Sequence, residues 1–157
     1  MATNRDHMSA TRQSPANDSE REVRALISEW TRESSKKDIQ AAMKPYAENV
    51  LSYEHVHQLS YQGRDEIREV CQQGFDAAPG EFQWDIPDLK VKIDGDLAVT
   101  WGFNRMRFAN ADGTATTIYS RGTRIFEKID GRWQLIHSHL SYPFDPGTGK
   151  ALTDLTP

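Results

Sequence analysis

Cysteine is nearly absent: Cys71 is the only one among 157 residues, so no disulfide can form within the chain, and a reducing, cytoplasmic setting is expected. No zinc-ligand spacing surrounds it, and it lies in a helix-like run on the side of Ile67, where a thiol serves as packing. A basic excess is missing as well. With 19 Lys and Arg against 23 Asp and Glu the net charge is -4, which offers nothing to nucleic acid or an anionic membrane and leaves small molecules and protein partners. The first 18 residues lack the apolar core of a signal peptide; rich in Ser, Thr, Asn, Asp and Arg, they are expected to form a disordered tail. There is no internal repeat. What is present, 37% hydrophobic and 27% charged residues, suits one soluble globular domain over residues 19–157, long enough to bury a core.

The clearest local signal is Asp130-Gly131 between two strand-like runs, Tyr119 to Ile129 and Trp133 to Ser141. Both central residues of a type I′ turn need positive φ, which Asp-Gly supplies, so a hairpin is expected. Upstream, Val23, Leu26, Ile27 and Trp30 recur at helical spacing within Glu20 to Ser35, behind the candidate caps Asn17, Asp18 and Ser19. Asp38 caps a short second helix, Ile39 to Met43, which Pro45 helps to end. A strand follows from Asn49 to His55. Tyr61-Gln62-Gly63 then leads into a third helix, Arg64 to Phe75, marked by Ile67, Val70 and Cys71. Three strands come next, Glu81 to Ile93, Leu97 to Ala109 and Thr114 to Lys128, and Trp133 to Ser141 completes the sheet. Helices early and strands late argue for an α+β fold: a curved, antiparallel, meander-like sheet forming a cone, with three helices on its concave face. A cone of this size encloses a pocket, and such pockets are mostly apolar with a few convergent polar groups.

Several strings carry a family likeness. Following a helix-helix-strand start, Tyr46-Ala47-Glu48-Asn49-Val50, Tyr61-Gln62-Gly63-Arg64, Ile129-Asp130-Gly131-Arg132-Trp133, His137-Ser138-His139-Leu140-Ser141 and Pro143-Phe144-Asp145-Pro146 resemble the SnoaL-like, ketosteroid-isomerase-related branch of the nuclear-transport-factor-2-like superfamily. The likeness implies a cystatin-like cone and makes residues 19–157 a single SnoaL-like domain. It also brings in isomerases, cyclases, dehydratases and kinase association domains, so the fold alone selects no function. Beside ketosteroid isomerase, Tyr46 to Gly63 aligns without a gap, and Glu54 falls at the general base. At the oxyanion-hole positions stand Trp30 and, roughly, Thr123; an indole N–H and a hydroxyl replace a phenol and a protonated carboxylic acid, so steroid isomerisation is not implied. With Glu54 facing the cone, the same superposition turns Trp101, Phe103 and Arg105 inward on one strand and Tyr119, Arg121 and Thr123 inward on the next, while Ile136, Ser138 and Leu140 share that side on the last. The implied pocket holds one carboxylate, two guanidinium groups and an aromatic wall.

These groups have two uses each. Glu54 in an aromatic pocket would have its pKa raised by desolvation and could carry protons, whereas Glu54 held by Arg105 or Arg121 would be a poor base. Arg105 and Arg121 could clamp a carboxylate or phosphate, or pair with acids at a rim or subunit contact. His137 and His139, like His55 and His57, form i, i+2 pairs able to present nitrogen to a metal, yet parity turns the first pair to the convex side, which suits a dimer contact; neither a metal nor a cofactor is expected. The resulting picture is a cytoplasmic homodimer whose pocket binds a small organic ligand with an acidic group, with no nucleic acid or membrane partner. It is either a cofactor-independent isomerase or cyclase using Glu54 for proton transfer, or a non-catalytic ligand-binding or association domain.

Overall fold

The computed structural model describes residues 15–78 and 80–157. Three helices, α1 (Pro15–Ser35), α2 (Ile39–Ala42) and α3 (Gly63–Ala77), accompany seven strands: β1 (Tyr46–Tyr53), β2 (Tyr61–Gln62), β3 (Phe82–Asp85), β4 (Lys90–Asp94), β5 (Leu97–Ala109), β6 (Ala115–Ile129) and β7 (Arg132–Ser141). The expected tail, residues 1–18, lies outside the described residues except for 15–18, which belong to α1.

The strands form one sheet in the order β2-β1-β7-β6-β5-β3, with β4 continuing along the same edge of β5 as β3. Every pairing is antiparallel except β1 with β7, which is parallel, so the expected α+β cone is mixed rather than a pure meander. Helix α1 buries Val23, Ile27 and Trp30, spaced i, i+4, i+7, while packing on β3 and β4; α3 buries Ile67 and lies against β1. Asp38 caps α2 as expected, its carboxylate accepting from the Ala41 amide at 3.0 Å. The hairpin turn has φ of 50° at Asp130 and 76° at Gly131, the positive pair that the sequence calls for.

The single strand expected over Glu81 to Ile93 is divided. Pro87, which has no N–H to offer a ladder, sits in an excursion that leaves the sheet between β3 and β4. That excursion folds over β5 at Gly102, where a Cβ would lie 2.8 Å from Ile86 Cγ2 and 2.9 Å from Asp88 Oδ1. Asp88 closes the gap by accepting from the Phe103 amide at 2.8 Å. Glycine at 102 therefore makes room for the chain to step from one half of β5 to the other.

A second irregularity sets the faces of the sheet. From the turn the β6–β7 register runs Ile129↔Arg132 to Phe126↔Leu135, then shifts so that Ile125 opposes His137 and Arg124 opposes Ser138. Ile136 is the extra residue of a β-bulge, a device that also bends and twists the strand. Phe126 and Leu135, fully buried on the inner face, anchor the core at this point. Truncation of Phe126 to Ala is expected to cost about 3–5 kcal/mol by leaving a cavity, read as a lower urea midpoint with unchanged slope.

Candidate functional site

Inside the cone, α1, β1, α3 and the inner faces of β3, β5, β6 and β7 enclose a cavity of about 140 Å³. Three residues expected there line it: Glu54 just beyond β1, Trp30 of α1 and Ser138 of β7. The other six do not. Trp101, Phe103, Arg121 and Thr123 face outward around a shallow depression with His139, and Arg105 and Tyr119 border a wide cleft open to solvent beside β3.

The reason is the bulge. An unbroken hairpin register would set Thr123 opposite Ser138, and opposed residues share a face, so Thr123 and its i±2 partners would point inward. The shift at Ile136 sets Arg124 opposite Ser138 instead, and the pairing of β5 with β6 carries this parity across, with Thr100 facing Arg124 and Asn104 facing Ser120. Arg105 thus forms a two-pronged ion pair with Asp85, its Nε 2.8 Å from Oδ1, and Arg121 Nη2 donates to the Tyr142 carbonyl at 3.3 Å. Neither arginine holds Glu54.

The interior cation is Arg124, which the sequence reading did not place in the pocket. It is 1% exposed, and its guanidinium lies 5.4 Å from the ring centroid of Trp30 and 5.6 Å from that of Trp84, two indoles that themselves meet edge to face at 4.9 Å. Arg124 Nη2 donates to Asn104 Oδ1 at 2.6 Å, and Asn104 Nδ2 donates onward to Ser120 Oγ at 2.9 Å. Gly122 provides the floor: a Cβ there would lie 2.8 Å from Arg124 Nη1 and 3.0 Å from Asn104 Nδ2. Among the described residues no acceptor reaches the buried Nε and Nη1. An unmade buried hydrogen bond costs about 1–3 kcal/mol, more at a charged group.

Glu54 is half-buried at the mouth of the cavity. Ser52, itself buried on β1, donates its hydroxyl to Glu54 Oε1 at 2.5 Å. Burial pushes the Glu54 carboxyl above its ordinary range, against the smaller downward pulls of the Ser52 hydrogen bond and the Arg124 charge. Cys71 faces the same space, and burial together with the Glu54 charge pushes its thiol up to about 12, which makes it inert as a nucleophile. Tyr46, whose ring packs edge to face on Trp30 at 5.3 Å, is raised well above 10, first by burial, and keeps its hydroxyl proton as a donor. Next to Glu54, the His55 ring packs on Tyr142 at 4.4 Å, and burial lowers its pKa. His137 and His139 sit on the outer face against Tyr53, with ring centroids at 5.0 and 5.7 Å. Among the described residues no three His, Cys, Asp or Glu side chains converge as a metal site.

The cavity thus joins a desolvated carboxyl, a buried guanidinium, a protonated phenol and aromatic walls inside a cone. A model of the SnoaL-like domain matches residues 23–145. The chain belongs to the SnoaL-like domain family. Among solved structures, an NTF2-like protein of unknown function from Pseudomonas putida KT2440 is 30% identical with a TM-score of 0.82, the match covering 90% of this chain and 98% of that one. An NTF2-like protein with a cystatin-like fold from Novosphingobium aromaticivorans, 17% identical over 85% of this chain and 87% of its own, superposes with a TM-score of 0.72 and shows the fold alone. So does the association domain of C. elegans CaMKII, 20% identical over 82% and 99%, with a TM-score of 0.69. No curated protein matches the chain. Among the described residues of this SnoaL-like domain no helix is long and apolar enough to cross a membrane.

The raised Glu54 pKa has a thermodynamic signature. The folded protein holds this proton more tightly than the unfolded chain, so the Glu54 contribution is most favourable below the ordinary value of 4.5 and is lost as pH rises through the folded value. Side-chain carbon NMR is expected to show Glu54 titrating above 4.5, and higher still in Ser52→Ala, which loses the hydrogen bond favouring the anion. Glu54→Gln is expected to gain stability relative to the parent as pH rises through that window in urea unfolding, with no such trend if Glu54 ionises freely.

Proposed function

We propose that this SnoaL-like protein binds a small organic molecule in the cavity of its cone and moves a proton on it without a cofactor, in the manner of an isomerase or cyclase. One observation carries the reading: Glu54, the only carboxylate lining the cavity among the described residues, is desolvated and not ion-paired, so its pKa lies nearer neutrality than that of a surface carboxylate. In this scheme ionised Glu54 takes a proton from a carbon beside a carbonyl, and the electron pair moves to the carbonyl oxygen. The Tyr46 hydroxyl and the Arg124 charge face that developing enolate, and protonated Glu54 returns its proton at a second carbon. Trp30 and Trp84 bound the space in which a flat substrate would lie. A volume of about 140 Å³ suits a substrate far smaller than a steroid.

The test is deuterium exchange at the α-carbons of compact ketones and enones in heavy water, followed by NMR. The parent protein is expected to accelerate exchange. Glu54→Gln should lose that acceleration by about 10²-fold or more while ligand affinity stays within several-fold. Unchanged exchange in this variant would remove Glu54 from the chemistry and leave a non-catalytic binding module.

The protein acts as a homodimer in this proposal. Support comes from the outer face of β5, where Leu97, Val99, Trp101 and Phe103 are 46%, 37%, 44% and 37% exposed, a contiguous apolar row of the kind that marks protein contact. The CaMKII domain that shares this fold is itself an association domain. Sedimentation is expected to show dimers of the parent chain and monomers of Trp101→Glu; a parent that stays monomeric at high concentration would contradict this.

A further inference from the structure

Resting on the reading that the cavity holds a small organic molecule, we propose that this molecule is a compact organic monoanion whose carboxylate accepts a hydrogen bond from Arg124 Nε. A guanidinium has five N–H donors, and buried arginines ordinarily spend them on carboxylates. Arg124 is 1% exposed and lines the cavity, yet its only hydrogen-bond acceptor among the described residues is the neutral Asn104, and Nε and Nη1 meet none. The Trp30 and Trp84 faces offer quadrupole attraction, which leaves the in-plane donors free. The donor set is therefore assembled and held still, with Gly122 beneath it and Asn104 fixed by Ser120.

Charge and size narrow the class further. Glu54, the one acid in the same cavity, is tied to Ser52 and makes no ion pair with Arg124. Burial holds its pKa above the ordinary range, and with its oxygen on Ser52 it leaves the free Arg124 donors unpaired. One negative charge offsets one guanidinium; a doubly charged phosphate would bury an excess. A cavity of about 150 Å³ holds a benzene molecule, so about 140 Å³ admits a body of one ring or a short unsaturated chain. Phe75, Phe82, Met106 and Leu140, with the two indoles, give that body an apolar seat.

The probes are benzoate and crotonate, each set against its neutral amide, titrated by calorimetry into the parent protein, Arg124→Gln and Arg124→Lys. The acids are expected to bind at least about tenfold more tightly than their amides to the parent, the margin of a charge-assisted hydrogen bond, and the preference should collapse in Arg124→Gln and partly return in Arg124→Lys. Should Arg124→Gln not fold, the parent still decides: benzoate must shift the Arg124 Nε–H resonance, and benzamide must shift it less. Amides binding as well as acids, or acids binding without disturbing that resonance, would overturn the anion and leave the pocket reading standing. If none of the four binds, both readings fall together.

Discussion

The positive charge of Arg124 is buried inside the cone, and the surrounding sequence is arranged to tolerate that charge. Moving a guanidinium out of water costs several kcal/mol even after relaxation. Two indole faces return about 2 kcal/mol or more when desolvated, and the short bond to Asn104 adds about 1.5–3 kcal/mol. The need for those partners explains residues that otherwise look unrelated: Trp30 on a helix, Trp84 on an edge strand, Asn104 and Ser120 paired across β5 and β6, and Gly122 without a side chain. Breaking the pair Asn104–Ser120 or filling the floor at Gly122 acts on the same cation.

Glu54 is the other half of this interior. It is close enough for the two charges to influence each other, each favouring ionisation of the other, but burial dominates at both: Glu54 is pushed up and Arg124 down to about 10. Had they formed a direct ion pair, the carboxylate would be a weak base and the guanidinium would have spent its donors on it. Kept apart, they leave a carboxyl and a guanidinium at separate places in one cavity, and on this the proposed function rests when it gives proton transfer to Glu54 and charge stabilisation to Arg124.

How much of this was legible in the sequence depends on the register. The Asp130-Gly131 turn, the limits of β5 and the capped α2 follow from local chemistry, and the positions that the family likeness gives Trp30, Glu54 and Ser138 line the cavity. The inner faces of β5 and β6 do not follow in this way, for two physical reasons. One extra residue at Ile136 reverses the parity that an unbroken hairpin hands to Thr123, and nothing in Leu135-Ile136-His137 announces a bulge. The outer face also carries the larger apolar residues, Leu97, Val99, Trp101 and Phe103, while the inner one carries Ala98, Thr100, Gly102 and Asn104, so hydrophobicity alone points the wrong way. The available clue was glycine: Gly102 and Gly122 are cross-strand partners, and paired glycines mark a place where something large must pass close to the sheet. Pro87 likewise signalled that Glu81 to Ile93 could not be one strand.

The most direct test of a buried, immobile cation is hydrogen exchange of the Arg124 Nε proton in the ligand-free protein at neutral pH, followed by NMR. A side chain locked between Trp30 and Trp84 should show a single dispersed resonance exchanging far more slowly than a solvated arginine such as Arg107. Exchange at the solvent rate, or a resonance at the random-coil position, would mean that Arg124 leaves the interior, and the cavity would then hold no fixed positive charge.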